Sequence, residues 1–545
     1  VESRELKGYP EAREERDLRQ TRPDASGTNS VQRLAGLVTL ASQTGASGAE
    51  REWIPVEEPF TGGELGRVPR CGAEDVSEAA RRAREEQRSW RERSSGERAR
   101  VFLRFHDLVL DRREEGLDLV QREGGKARRH ALEELLDVAL VSRYYARTAG
   151  RYLRPRRRQG AFPVITATRE YHHPKGLAGF VVPWNYPLTL AVSDAVPALL
   201  AGNAALVKPD SQTPFTALWV AELLYEAGLP RDLFQVVTGP GRELGEPILD
   251  SSDFLMFTGS TRTGRVLARQ AGERLVDCSM ELGGKNAAIL RRDADLAGAV
   301  EGALRGCYAA AGQLCVSIER LYVHEAVYEE FLRRFVERVR GMRLGGGLGY
   351  GPEMGSLISG DQLANVSRYV DDAVQKGAEV LAGGCTRPDL GPYFYEPTVL
   401  AGVTPGMDLY REEVFGPVVY VEPVASDEEA IGKANDSLYG LSFSVWTGDD
   451  AAGERLATRL EAGTVNVNEA YAATWASTDA PMGGMGDSGL GRRHGAEGIL
   501  KYTESQTVSV QRLLPIAPPR WMGEQTYARL MSAAARGLKR LPGYK

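Results

Sequence analysis

A glutamate and a cysteine thirty-four residues apart carry the chemistry that this chain can do. Glu281 lies in Met-Glu-Leu-Gly-Gly-Lys at 280–285, and Cys315 in Gly-Gln-Leu-Cys-Val-Ser at 312–317. A thiol becomes a nucleophile where its surroundings favour thiolate, and a carboxylate takes a proton from water where it is partly desolvated. Together they point to covalent catalysis through a thioester that water can open. Singly, each has a plainer reading: a small buried hydrophobe for the thiol, a strand end or turn for the glutamate. Asn185 adds a third group. It sits between Trp184 and Tyr186 in a loop stiffened by Pro183 and Pro187, so its side-chain amide is a candidate oxyanion donor. The alternative for an Asn in such a turn is a bond to its own backbone.

Such groups need a rigid frame. Apolar residues recur three and four apart over 76–93, 99–122 and 131–150, which predicts helices. Short apolar runs at 177–182, 204–207, 234–237 and 254–257 alternate with helical stretches, and this predicts an α/β protein with doubly wound parallel sheets. Gly259 and Ser260 follow one run and open a helical stretch at 263–271, where free amides and the helix dipole suit a pyrophosphate. The spacing is not Gly-x-Gly-x-x-Gly, so ordinary turn chemistry stays open at this point. Lys208 ends a buried-looking strand, which places its ammonium at the sheet edge where ligands bind in such folds.

At 545 residues, two or more domains are expected. A net charge of -6 gives no electrostatic reason to expect nucleic acid as a partner. Five cysteines form no Cys-x-x-Cys, and the His172–His173 pair has no ligand cluster beside it, so neither a disulfide framework nor a metal site is expected. Without a long apolar stretch or a basic-then-apolar leader, no integral membrane segment and a cytoplasmic location are expected. Residues 1–30 are hydrophilic and expected to be mobile.

Val-Pro-Trp-Asn-Tyr-Pro at 182–187, Val-Lys-Pro-Asp-Ser at 207–211, Phe-Thr-Gly-Ser at 257–260 and Glu-Glu-Val-Phe-Gly-Pro at 412–417 surround the Glu281–Cys315 pair. With them the chain resembles the aldehyde dehydrogenase superfamily from about residue 50 to about residue 515. The segments 208–214 and 481–486 look like those of actinobacterial succinate-semialdehyde dehydrogenase-like proteins. The resemblance implies a Rossmann-type dinucleotide-binding domain over 51–154 and 175–283 and an α/β catalytic domain over 284–498. It also implies a small β oligomerisation arm over 155–174 and 499–515, making a homodimer or homotetramer. Outside it lie an N-terminal extension, 1–50, partly disordered, and a basic tail, 516–545, whose apolar residues at helical spacing fit docking on a neighbouring subunit or, less readily, a membrane surface.

The resemblance also assigns roles. Cys315 is the nucleophile, Glu281 the base that activates water, and Asn185 the oxyanion donor together with the Cys315 amide. Gly259 and Ser260 meet the phosphates, Lys208 the adenosine ribose, and Glu413 and Phe415 the nicotinamide half, with Pro183, Trp184 and Leu282 in the same cofactor site. Many NAD-preferring members carry Glu where Ser211 stands; Ser leaves room for a 2′-phosphate and can donate to it, so NADP or NAD is implied, with NADP slightly favoured. In members acting on succinate semialdehyde, Arg residues stand at positions matching Ser193 and Ala309, and both are missing. Tyr471, Trp475, Leu314 and Val316 offer an aromatic and apolar wall instead, so an apolar or aromatic aldehyde is expected, with succinate semialdehyde as the alternative. A non-catalytic binding protein on the same scaffold is a second alternative, disfavoured because nucleophile, base and cofactor lysine are all retained.

Overall fold

A computed structural model describes residues 26–42, 51–161, 166–512 and 516–540. The apolar runs become one sheet. Phe234–Val236, Ala204–Lys208, Leu177–Val181, Phe254–Thr258 and Asp277–Glu281 lie parallel in that spatial order, and Gly489–Leu490 closes the edge antiparallel to Asp277–Glu281. The first four strands are buried throughout, because continuous Val, Leu, Ala and Phe runs need cover on both faces. Ala73–Glu92, Pro214–Glu226, Gly241–Ser251 and Thr261–Glu273 are helices that pack on the sheet and supply that cover. Strand order reverses between Leu177–Val181 and Phe254–Thr258, and a crevice opens outside their carboxyl ends. Residues 183–185 and 259–260 leave from those two ends.

The chain then crosses to a second, seven-stranded sheet within residues 282–285. Its strands in order are Glu379–Ala382, Thr398–Ala401, Val418–Val424, Ile318–His324, Asn286–Leu290, Ser442–Trp446 and Thr464–Val467, all parallel except the first. Cys315 immediately precedes Ile318–His324, the neighbour of Asn286–Leu290. The nucleophile and base candidates therefore sit where the two sheets meet.

A third, antiparallel sheet joins Arg156–Arg158, Thr166–Pro174 and Thr503–Gln511, with Thr503 paired to Pro174 and Gln511 to Thr166. Of the expected arm, 162–165 and 513–515 lie outside the described residues.

The structure adds detail to one reading and corrects another. Within the expected N-terminal extension, residues 26–42 are packed against the rest of the chain. Ser26–Val38 is a helix whose Leu34 and Leu37 are buried, Arg33 pairs with Glu115 and Glu222, and Ala41 bridges to Val236 at the edge of the first sheet. The apolar face of this short helix packs against Pro214–Glu226, which outweighs its polar composition. Residues 1–25 and 43–50 lie outside the described ones. Second, the helix expected over 99–122 is two, Ser95–Asp111 and Arg113–Gly124. The break falls at Arg112, whose guanidinium bonds Glu115, Glu222 and Glu226, and the turn lets Gly116 meet the Trp219 ring, where a Cβ would come within 2.7 Å.

In the tail, Glu524–Leu538 is a helix with no buried residue, and Trp521 is 79% exposed. Among the described residues no helix is long and apolar enough to cross a membrane, and no cluster of His, Cys, Asp or Glu could hold a metal ion.

Candidate active site

Cys315 is held by its backbone. After the helix Leu296–Tyr308 the chain turns through Ala310, Ala311 and Gly312, all left-handed, with φ of 48°, 56° and 71°. A Cβ at Gly312 would lie 2.0 Å from the Gly416 carbonyl oxygen, so this position requires glycine. Such strain persists only where neighbours over-determine it. Here His130 Nδ1 accepts from the Ala310 amide at 3.1 Å, and Gln313 donates to the Ala310 carbonyl at 3.0 Å and accepts from the Ile358 amide at 3.0 Å. Burial lowers His130 to about 3, which keeps the accepting nitrogen unprotonated. Asn286 Nδ2 donates to the carbonyls of Cys315 at 2.7 Å and Ser317 at 2.8 Å.

Asn185 is fixed as firmly. Its Nδ2 donates to the Gln313 carbonyl at 3.0 Å, which binds the amide to the segment carrying Cys315 and leaves its second N–H free. Its own carbonyl accepts from Lys126 Nζ at 2.5 Å. Lys126 is ion-paired to Glu134, whose other oxygen accepts from the amides of Leu188 and Thr189. Both charges are buried, and this pairing makes that burial tolerable.

Pro183, Trp184, Asn185, Gly259, Ser260, Leu282, Cys315, Glu413 and Phe415 line one cavity of about 240 Å³ together with Thr258 and Gly283. Nine scattered sequence candidates thus meet in one place. Ser260 is also the cap of the helix Thr261–Glu273, accepting from the Thr263 amide at 3.3 Å. Glu413 accepts from the Gly284 amide at 2.8 Å, and burial beside Glu319 raises its carboxyl to about 8. Glu319 accepts from the amides of Val414 and Phe415 and pairs with Lys285, so the 413–415 loop is pinned to the turn after Glu281. Phe415, with a φ of 55°, meets Trp184 edge-on at 5.5 Å.

Lys208 and Ser211 lie outside this cavity, at the end of the neighbouring strand. The Lys208 ammonium is buried, makes no ion pair among the described residues, and is made less basic by that burial. A buried cation without an anion fits a polyhydroxyl or phosphate ligand. Ser211 differs from expectation. Its hydroxyl donates to the Gly239 carbonyl at 3.0 Å, so toward a ligand it presents lone pairs.

The two candidate reacting groups have the proton affinities their burial dictates. Desolvation, with the carboxylates of Glu413 and Glu281 nearby, pushes the Cys315 thiol up to about 12, and Arg493 opposes this. Desolvation raises Glu281 to about 7, opposed first by Arg493 and then by Lys501. In the free protein the thiol is therefore protonated, and the acceptor poised to take a proton near neutrality is Glu281.

The sequence profile of the aldehyde dehydrogenase family matches residues 46–508. The chain belongs to the aldehyde dehydrogenase family. A Mycolicibacterium smegmatis protein, provisionally named an NADP(+) succinate-semialdehyde dehydrogenase, is 55% identical over 493 residues, 90% of this chain and 95% of that one. Among solved structures, an Escherichia coli NADP-dependent enzyme is similar with a TM-score of 0.81 at 33% identity, covering 84% of this chain and 95% of that one. An NAD+ complex of aldehyde dehydrogenase from Bacillus cereus has a TM-score of 0.80 at 35% identity, covering 84% and 93%.

The aldehyde dehydrogenase also places its substrate-side candidates. Trp475 stacks edge-on against Tyr186 at 5.3 Å and leans on Tyr471 at 5.9 Å, which builds an aromatic group beginning one residue after Asn185. Tyr471 is not open wall, however. Its ring is buried, its hydroxyl donates to Glu133 at 2.9 Å, and Arg305 lies 5.2 Å above it. Leu314 and Val316 are buried on either side of Cys315 and line no part of the cavity that holds Cys315 and Glu413. Ser193 donates to the buried Asp137 at 2.7 Å, a carboxylate on which the Arg493 charge acts. Ala309 lines a separate cleft of about 300 Å³ with Arg129, Glu133, Arg305 and Arg338.

Sequence reasoning missed the supports of the site: Lys126, Glu134, Asn286, Lys285, Glu319, Asp194 and Arg493. One signal was available. Glu134 interrupts the apolar face formed by Ala131, Leu135 and Val138, and a charge on a buried helix face announces a partner.

Proposed function

We propose that this aldehyde dehydrogenase oxidises an aldehyde to the carboxylic acid through a thioester on Cys315. Cys315 Sγ, its proton passing to solvent, adds to the carbonyl carbon to give a thiohemiacetal, and the free N–H of Asn185 with the Cys315 amide holds the oxyanion. A bound nicotinamide supplies the oxidising capacity by accepting the hydride from that carbon. Glu281 then takes a proton from water, the water oxygen attacks the thioester, the carbon–sulfur bond breaks, and the acid leaves. The observation that carries this reading is the convergence of Cys315 and Asn185 on one cavity with Glu413 and Gly259, beside a buried Glu281 poised near neutrality.

NADP or NAD is the cofactor, with NADP slightly favoured, because Lys208 remains and Ser211 carries no repelling charge. The substrate is an apolar or aromatic aldehyde, supported by Tyr186 and Trp475 and by the carboxylate at Ser193. Succinate semialdehyde is the second reading, favoured by the name of the M. smegmatis relative. The unit over 51–154 and 175–283 binds the dinucleotide, and 284–498 supplies the nucleophile. The three-stranded arm, whose Val508 and Val510 are 40% and 52% exposed, joins subunits into a homodimer or homotetramer. A cytoplasmic location accords with five unpaired cysteines.

The test is Cys315→Ala. Oxidation should fall by more than about a thousandfold, while NADP binding, followed by fluorescence titration, stays within a few-fold. Turnover near that of the unaltered enzyme would refute the mechanism.

A further inference from the structure

Behind Glu281 lies a buried charge cluster that the mechanism above does not use. Asp194 and Arg493 form an ion pair at 2.7 Å with both side chains almost wholly buried. Lys501 Nζ lies 3.6 Å from the other Asp194 oxygen and donates to Ser279 Oγ at 3.3 Å. Ser279 and Glu281 project on the same face of the strand Asp277–Glu281, two residues apart. The chain from 482 to 493 folds back on itself, with Met482 and Arg493 exchanging backbone hydrogen bonds at 2.9 and 2.7 Å. Within that return Gly489 pairs with Glu281, and a Cβ on Gly483 would come 3.1 Å from Glu281 Oε1. One loop thus brings a close backbone to the carboxylate and carries the guanidinium whose charge acts on it.

Several polar atoms there lack partners: Glu281 Oε1, Arg493 Nε and both ring nitrogens of the adjacent His494 are buried and make no hydrogen bond within the described chain. A buried acceptor and a buried donor left open in one cluster are costly unless they serve each other directly or through water. Asp194 ties one end of the Arg493 fork, accepting from Nη2 at 2.7 Å. The groups acting on Glu281 are Arg493 and Arg492 from this loop, Lys501 after the helix Gly495–Leu500, and Asp194 before Ala195–Leu200. Cys315 stands near it on the remaining side. The buried His494 beside Arg493 is lowered to about 3 and stays neutral.

We propose that Arg493, clamped by Asp194, is a positioning residue that holds the Glu281 carboxylate ready for deacylation. The proposal rests on the thioester reading above and deepens it. Arg493 does not line the cavity beside Cys315; it works by opposing the desolvation of Glu281, and Asp194 limits how strongly it does so. Removing the guanidinium therefore makes Glu281 harder to ionise, and removing the Asp194 charge makes it easier.

The assay uses p-nitrophenyl acetate, which acylates Cys315 without any nicotinamide. The sulfur–acyl bond forms as nitrophenolate leaves, and water then releases acetate with Glu281 as base. A nitrophenolate burst reports acylation, and steady release reports deacylation. In Arg493→Met the burst should survive while the acid limb of steady release moves to higher pH by about one unit or more. In Asp194→Asn it should move to lower pH, and Arg493→Lys should restore most of the original profile. An unmoved acid limb in folded Arg493→Met, or a shift of both variants in the same direction, would overturn the proposal. If Arg493→Met does not fold, Asp194→Asn decides: a limb at lower pH supports the proposal, and an unmoved one overturns it. Absence of any burst in the unaltered enzyme would instead count against the thioester reading itself.

Discussion

The proton affinity of Glu281 makes a prediction with a size. Burial raises this carboxyl to about 7, against Arg493 and Lys501 acting to lower it. If its carboxylate is the base for deacylation, the rate follows the ionised fraction: about half at pH 7, about a tenth at pH 6 and about a hundredth at pH 5. An ordinary glutamate, ionising near 4.3, would leave the rate flat above pH 6. The kcat for aldehyde oxidation should therefore fall about tenfold per unit below pH 6.5, provided that deacylation limits turnover. Rapid mixing separates the steps, since the first NAD(P)H is released before hydrolysis. Glu281→Gln should give a burst near one equivalent per site followed by turnover reduced at least about a hundredfold, with no acid limb. A flat kcat between pH 5 and 8, or a Glu281→Gln enzyme that turns over steadily, would refute the assignment. Loss of the burst as well would show that Glu281 also serves acylation by taking the proton of a thiol that burial holds at about 12.

Three further outcomes follow from single contacts. Ser211→Glu should raise the KM for NADP at least about tenfold more than that for NAD, because a carboxylate would face the 2′-phosphate near Lys208; equal losses would show that position 211 does not face it. Lys126→Met leaves Glu134 buried without its cation and should cost about 3–5 kcal/mol in urea unfolding. The uncompensated Glu134, its carboxyl raised in the folded state, would favour folding at low pH and lose that contribution as pH rises, so the deficit should be larger at pH 8 than at pH 5; an equal deficit at both would refute the charge argument. Finally, kcat/KM for a medium apolar or aromatic aldehyde should exceed that for succinate semialdehyde by about tenfold or more, since Ser193 bonds a carboxylate and Arg493 is ion-paired with Asp194; a preference for the semialdehyde in a parallel screen would reverse the order.

What was legible in the chain and what was not divide along a physical line. Glu281 ends a strand and Cys315, Asn185 and Gly259 sit in short turns, places that must have particular residue types to work, so local sequence exposes them. Parallel strands such as Ala204–Lys208 are equally legible, because burial on both faces forces a continuous apolar run. The supports are different. Lys126, Lys285, Asp194 and Arg493 are charges, and a charge in sequence reads as solvated unless its partner is known. Their partners are set by the fold: Arg493 meets Asp194 across 299 residues, and Lys285 meets Glu319 at the start of the neighbouring strand, 34 residues on. The helix Ser26–Val38 escaped for the converse reason, since two buried leucines in a polar segment acquire meaning only once Pro214–Glu226 stands beside them. The substrate question belongs with the supports. Tyr471 reads as an aromatic wall in sequence, yet Glu133 and Arg305 hold it, so the charge balance around the aldehyde tail is a property of assembled elements. That is why the aldehyde screen, which reads this balance directly, discriminates between the two substrates more sharply than any further motif.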